Sequence, residues 1–298
     1  MKDFKIVSVG EILFDCYPDV KHLGGAPFNF ICHINKLTGS GDFISGIGED
    51  KDGKEITGFL RKNNLNTEFL QTDPQHPTGK VNVKLDDKAV PDFNIVENCA
   101  YDFIKNNENI SGAAAQSDLL YFGTLAQRNT TSRGTIQSLK ELSRQTFVDL
   151  NIRQNYYSPE IIFNSIKNCS VLKVNGDEYN LIKKTAQEKS MPSWETEQEF
   201  LQKFGIGLLC ITYGDKGSTL FTEGEINRVE TPETKVVDTV GAGDAFSAVL
   251  AIGYLKKWPL EKINRLAGKF AAEICGYSGA LPDNDEFYAK YKSVINEK

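Results

Sequence analysis

From Leu119 onward, short apolar runs alternate with longer stretches of helical pattern, and this alternation narrows the fold more than any other feature of the chain. Leu119–Phe122, Thr146–Leu150, Val171–Val174 and Leu208–Thr212 read as strands, and a helix is expected near Thr131–Arg144. Strands separated by helices join through right-handed crossovers into a parallel sheet with helices on its faces. Ligands of such sheets collect at the carboxyl ends of the strands. Motifs that begin where a strand stops therefore carry weight.

The N-terminal part starts with a strand at Phe4–Val9, which Glu11–Asp15 is expected to continue, bringing a carboxylate to the loop at Pro18. Gly24-Gly25-Ala26-Pro27-Phe28-Asn29 then places two glycines before a proline suited to the first turn of a helix, which should run to about Leu37. A strand at Asp42–Ser45 and a helix over Gly53–Asn63 follow. Between Thr67 and Ile95 the pattern changes. Lys80–Leu85 and Asp92–Ile95 alternate polar and apolar residues, as a small antiparallel patch would. Such a patch is too small for a core of its own. It either covers something or extends the edge of the main sheet.

The stretch Asp238–Phe246, DTVGAGDAF, is the candidate catalytic centre. Lys235-Val236-Val237 before it is short and strand-like, and Ala245–Leu255 after it has apolar residues at helical spacing, so the glycines are expected where strand becomes helix. The first N–H groups of a helix have no partner within it and lie at the positive end of its dipole. Gly241, Ala242 and Gly243 would present those groups almost bare, as a phosphate site requires. A carboxylate beside a phosphate is awkward unless it has a task, and accepting the proton of an attacking hydroxyl is one, which casts Asp244 as general base. Alternatively, the motif is a tight turn and Asp244 an ordinary acid of a first helical turn.

Several functions are disfavoured by composition. The net charge of -6 gives no basic footprint for nucleic acid or an anionic membrane. The six cysteines form no CxxC pair, and some sit inside apolar runs such as Leu208-Leu209-Cys210-Ile211, as buried thiols of a reducing compartment would. His22, His33 and His76 lack metal-ligand spacing. The N-terminus has no leader pattern and no run is long enough to span a membrane, so a cytoplasmic location is expected.

The motifs together resemble the pfkB family of ribokinase-like carbohydrate kinases. DTVGAGD is similar to its C-terminal signature and GGAPFN to its N-terminal glycine motif in the fructokinase-like form. Further similarities are Glu97–Asp102, Gly123–Arg128, Asp149–Arg153, Asn175-Gly176-Asp177-Glu178 and Tyr213-Gly214-Asp215-Lys216-Gly217. The resemblance implies one α/β domain over 1–298, with a mostly parallel sheet, flanking helices and a β-lid contributed by about 10–25 and 67–98. It implies sugar contacts from Asp15, Gly24, Gly25, Asn29, Phe93 on the lid, Arg128 and Asp244. Arg153 would pair with phosphate oxygens, or else be a surface arginine.

For ATP the resemblance implies Asn175, Glu178, Thr212, Gly214, Gly217 and Gly243, with Glu178 holding Mg2+ through water. A capping box would place Asn175 and Glu178 identically. Potassium would sit near Asp238, Val240 and Gly279, where Asp238 could equally be a structural cap. The implied reaction moves the ATP γ-phosphoryl group to a hexose hydroxyl, D-fructose first. A 2-keto-3-deoxygluconate kinase, a ribokinase and a non-catalytic sugar- or nucleotide-binding regulator are the alternatives. Arg128 would favour an acidic sugar if it faced the pocket. An apolar lid face left uncovered would favour a homodimer.

Overall fold

A computed structural model describes residues 4–85, 91–191 and 193–297. In chain order the strands are β1 (Ile6–Val9), β2 (Leu13–Cys16), β3 (Lys21–Gly24), β4 (Asp42–Gly48), β5 (Leu70–Asp73), β6 (Gly79–Leu85) and β7 (Pro91–Ile95). They continue with β8 (Leu119–Phe122), β9 (Thr146–Asp149), β10 (Val171–Asn175), β11 (Leu208–Thr212), β12 (Ser218–Phe221) and β13 (Ile226–Val229). The main sheet has the order β13-β12-β11-β10-β9-β8-β1-β4-β5. Every neighbouring pair from β11 to β5 is parallel, and β12 and β13 add an antiparallel edge.

Helices cover both faces, which explains why the central strands read as continuous apolar runs. Alternate residues feed opposite cores. Ile6, Leu119, Tyr121, Phe147, Val171 and Cys210 pack with the helices Ala26–Thr38, Ala242–Leu255, Leu260–Ile274 and Asp285–Asn296. Val7, Leu120, Phe122, Val148, Leu172 and Ile211 pack on the other side with Thr130–Leu142, Pro159–Ile166 and Gly176–Glu188. Ala242–Leu255 is buried from Ala245 to Gly253, so only its first turn is left to meet a ligand.

The chain does not carry β1 on into residues 11–15 as expected. It leaves the main sheet at Gly10, and β2 joins a second sheet of order β3-β2-β6-β7. A side chain at Gly10 would strike Pro27 at 2.6 Å, so the exit depends on the first turn of the following helix. The small sheet is mixed, with β2 parallel to β6 and the other pairs antiparallel. Within 67–98, residues Leu70–Asp73 pair instead with the open edge that β4 offers at Ser45–Gly48. Edge extension is the right reading for these residues. The stretch 86–90 of the expected lid lies outside the described residues. Lys235-Val236-Val237 is not a strand: both valines are 59% exposed, and the N–H groups of Val237 and Asp238 share the Cys275 carbonyl. With no neighbouring strand, β-branching alone does not make one.

Leu13, Asp15, Val81, Phe93 and Ile95 line the cleft beneath the small sheet. On its other face Phe14 is buried under Lys21, whose Nζ is 4.0 Å from the ring centre. Lys21 also reaches Asp52 and Glu55 at 2.6 and 2.7 Å, and Lys80 reaches Asp52 at 2.7 Å. This face is latched by charge to the helix Lys51–Lys62. Exposed ion pairs contribute about 0–1 kcal/mol each. Asp52→Ala should therefore barely move the melting temperature while raising amide exchange in β3 and β6, and unchanged exchange would show that the sheet is held elsewhere.

Candidate active site

Gly241 has φ 77, and a Cβ there would lie 2.3 Å from the Ala280 Cβ. Only glycine can make this turn. The helix that follows has no side-chain cap, and its Ala242 N–H reaches the Thr239 carbonyl at a long 3.3 Å. The next two amides, of Gly243 and Asp244, have no acceptor within the helix. Gly243 is exposed and Gly241 and Gly243 line the cleft, whereas Ala242 is not among its lining residues.

Asp244 is half-buried, and its Oδ2 accepts a 2.8 Å hydrogen bond from Asn29 Nδ2. Asn29 stands in the first turn of the other glycine-opened helix, where Gly25 has φ 114. A Cβ on Gly25 would meet the Glu11 carbonyl oxygen at 2.5 Å. Two helix N-termini thus converge on one cleft. Below them, Asp149 at the end of β9 pairs with Lys173, its neighbour in register on β10, at 2.8 Å. Ser247 and Tyr121 donate to the same Asp149 oxygen at 2.8 and 3.1 Å. Lys173 Nζ lies 3.5 Å from where a Gly243 Cβ would be, so a buried cation underlies the first turn of the helix.

Burial pushes the Asp244 carboxyl up to about 7, with the Asn29 bond, Lys173 and Arg153 opposing and the Asp149 charge adding to the rise. Burial pulls Lys173 down, but the Asp149 charge and hydrogen bond outweigh it and the pKa is raised. Asp15 is also raised by burial, against the attraction of Arg153.

The cleft encloses about 660 Å3 and is lined by Asp15, Gly25, Asn29, Phe93, Arg153, Val240 and Asp244, among others. It adjoins a chamber of about 450 Å3 where Gly24, Asp238 and Gly279 join Asp15 and Asn29. Arg153 is exposed on a loop in which Asn151 and Gln154 both take positive φ, 43 and 48. Three contacts hold that loop: Gln154 Nε2 donates to the Phe93 carbonyl, Tyr156 Oη to the Ile95 carbonyl at 3.1 Å, and Ile152 N–H to Glu178 Oε1 at 2.7 Å.

Arg128 is the expected sugar contact that the structure takes away from the cleft. It is 7% exposed on its side chain, forks onto both oxygens of Asp102 at 2.8 Å, donates to the Val96 carbonyl and lies over the Tyr101 and Tyr156 rings. A carboxylate partner far away in sequence has claimed its fork.

Asn175 and Glu178 form the capping box, with both reciprocal bonds at 2.8 Å. Thr212 pairs in register with Asn175 at the ends of β11 and β10. Gly214 and Gly217 shape the turn beyond, with φ 62 and 96, and a Cβ on Gly217 would lie 2.0 Å from the Val229 oxygen. None of these five residues is among those lining the cleft. Asp238 accepts from Val240 N–H at 3.0 Å and Gly279 N–H at 2.9 Å, so it does cap and join the two loops. Among the described residues no cluster of three or more His, Cys, Asp or Glu could hold a metal.

Lys173 and Asp149 were not singled out as site residues by sequence reading. The available signal was a charge inside an apolar strand, Val171-Leu172-Lys173-Val174.

The family model for pfkB family carbohydrate kinases matches residues 3–286. An uncharacterized sugar kinase of Pyrococcus horikoshii is 28% identical over 97% of this chain and 96% of its own length. Its structure in complex with ATP superposes with a TM-score of 0.81, covering 97% of this chain and 99% of that one, at 25% identity. Fructokinase-2 of Zea mays is 28% identical over 93% of this chain and 90% of its own. A fructokinase double mutant from Vibrio cholerae, bound to fructose, ADP and a potassium ion, shares the fold with a TM-score of 0.76 at 24% identity, covering 96% and 98% of the two chains. The fold is the ribokinase-like α/β fold.

Folding lifts Asp244 from its ordinary 3.8 to about 7, so the group stabilises the fold fully below about 4 and loses that contribution as pH rises through about 7. Asp244→Asn should gain stability relative to the unmodified chain between pH 5 and 8, on the order of 2 kcal/mol after solvent screening. Urea melts at both pH values check this, and a pH-independent difference would contradict it.

Proposed function

The chain belongs to the pfkB family of carbohydrate kinases, phosphotransferases with an alcohol acceptor, and from that premise we propose that it phosphorylates a neutral hexose, D-fructose first, with ATP as donor. The observation that carries this reading is the Asp244 carboxyl, near 7 and held by Asn29, at the start of a helix whose first amides face the covered cleft. A base with that pKa takes a hydroxyl proton efficiently at neutral pH. In this reading Asp15, Gly24, Gly25 and Asn29 hold the sugar under Phe93 while Asp244 receives its proton. The Gly241, Ala242 and Gly243 backbone, Arg153 and Lys173 stabilise charge on the transferred group.

A neutral acceptor fits the division of charge in this reading. Glu11 and Asp15 line the cleft, its two lining cations, Arg153 and Lys173, are assigned to the transferred phosphoryl group, and Arg128 is bound to Asp102. This disfavours 2-keto-3-deoxygluconate, and ribose is the nearer alternative. A non-catalytic regulator would have no use for a base poised near neutrality. Of the relatives, the maize enzyme is a fructokinase and the Vibrio cholerae structure holds fructose.

For the nucleotide, Asn175, Thr212, Gly214 and Gly217 form a ledge at the ends of β10 and β11, and nothing stands within 4 Å of where a Gly214 Cβ would be. Magnesium supplies neutralisation of the phosphates when bound. Both Glu178 oxygens already accept a backbone N–H, so contact through water fits this residue better than direct ligation. Asp238 ties together the two loops whose carbonyls would hold potassium, the ion found in the Vibrio cholerae structure. The six free thiols suit a reducing compartment, the cytoplasm in this reading, and no described helix is long and apolar enough to cross a membrane.

ADP release with Mg-ATP should depend on fructose and be weaker with ribose or 2-keto-3-deoxygluconate. Asp244→Asn should lower kcat by about 100-fold or more while leaving sugar and ATP binding largely intact. Near-normal turnover in that variant would sink the proposed role. The pH profile of kcat/KM should rise through about 7 as the base ionises. Asp238→Ala should make the rate insensitive to K+ titrated against Na+ at constant ionic strength, and undiminished activation would place the cation elsewhere.

A further inference from the structure

Two buried oxygens at the floor of the cleft have no hydrogen-bond partner: Glu11 Oε2 and Asn29 Oδ1. The residues are 3% and 4% exposed, so bulk water does not serve either. Leaving a buried acceptor unpaired costs about 1–3 kcal/mol, more if it is charged. Folded proteins rarely keep such groups without a reason, and a missing ligand is one.

The surroundings explain why the protein does not satisfy them itself. Glu11 lies in the short connection between β1 and β2, with its backbone carbonyl against Gly25, so its position is fixed by the opening of the helix Ala26–Thr38. Asn29 spends its amide nitrogen on Asp244, which turns its oxygen to a different partner. Arg153 attracts Glu11 through space, but no hydrogen bond joins them. Both residues line the same cleft as Asp15 and Asp244. Burial also lifts the Glu11 carboxyl to about 7, and in either protonation state its free oxygen needs a polar neighbour.

We propose that Glu11 is a specificity-determining substrate contact, its free oxygen and Asn29 Oδ1 together accepting hydrogen bonds from two hydroxyls of the bound sugar. The proposal rests on the reading of the site as a sugar pocket. Its chemistry is selective in two ways. A sugar missing either hydroxyl leaves one acceptor buried and unpaired, the strongest form of discrimination a polar pocket has. A sugar carboxylate in that position would set acceptor against acceptor.

The test is calorimetric titration of D-fructose, ribose and the monodeoxy analogues of fructose into the unmodified protein, Glu11→Ala and Glu11→Gln, with ATP affinity as the control for folding. Glu11→Ala should bind fructose about 10–100-fold more weakly with ATP affinity unchanged. One monodeoxy analogue, bound poorly by the unmodified protein, should be bound by Glu11→Ala as well as fructose is. Glu11→Gln keeps an acceptor oxygen and the shape, so it should recover part of the loss, and it decides the matter if the alanine variant fails to bind ATP. Fructose affinity within about threefold of the unmodified protein in both variants, or unchanged discrimination among all the analogues, overturns the proposal alone. An unmodified protein that binds none of these sugars overturns the sugar-pocket reading and this inference with it.

Discussion

The 2.8 Å bond between Asn29 and Asp244 joins the two helices on which the site is built. Each helix opens at a glycine in a backbone conformation that other residues rarely adopt, and each points its positive end into the same space. A carboxylate held between two such ends should be strongly acidic. Burial reverses that outcome, because the surroundings that exclude water penalise the charged form more than the nearby dipoles and cations favour it. The result is a carboxyl balanced near neutrality. Asp149 contributes from below: one of its oxygens accepts from Lys173, Ser247 and Tyr121 together, so its charge is committed to holding a buried cation in place. Such a pair adds little net stability but fixes position.

Sheet register delivers these groups to one place. Lys173 is opposite Asp149 because β10 is parallel to β9, and Asn175 is opposite Thr212 because β11 is parallel to β10. The alternation of side chains then sends neighbouring apolar residues into two separate cores, leaving the strand ends to carry polar chemistry. The second sheet closes the cleft from above, with Asp15, Val81 and Ile95 in one row across β2, β6 and β7.

Features set by local geometry were legible in the sequence. The glycine turn at Gly241, the helix start at Ala26 and the capping box of Asn175 and Glu178 each depend on a few adjacent residues. Features set by a distant partner were not. Val236 and Val237 have strand chemistry but no strand to pair with, and Leu70–Asp73 found the free edge of β4 instead of the small sheet. Arg128 could not be assigned without knowing that Asp102 would lie opposite it. Lys173 and Glu11 were hidden for a related reason, since a charge within an apolar run reveals its purpose only once the fold shows what it faces.

The loop after β9 has a mechanical consequence. Gln154 and Tyr156 grip the carbonyls of Phe93 and Ile95 on β7, Ile152 is anchored to Glu178, and Arg153 is mounted between these attachments. This strand therefore cannot lift without breaking those bonds or dragging the guanidinium with it. Cover on one side of the cleft and positive charge on the other are thus linked like two arms of a single lever: while those bonds hold, lifting the one displaces the other.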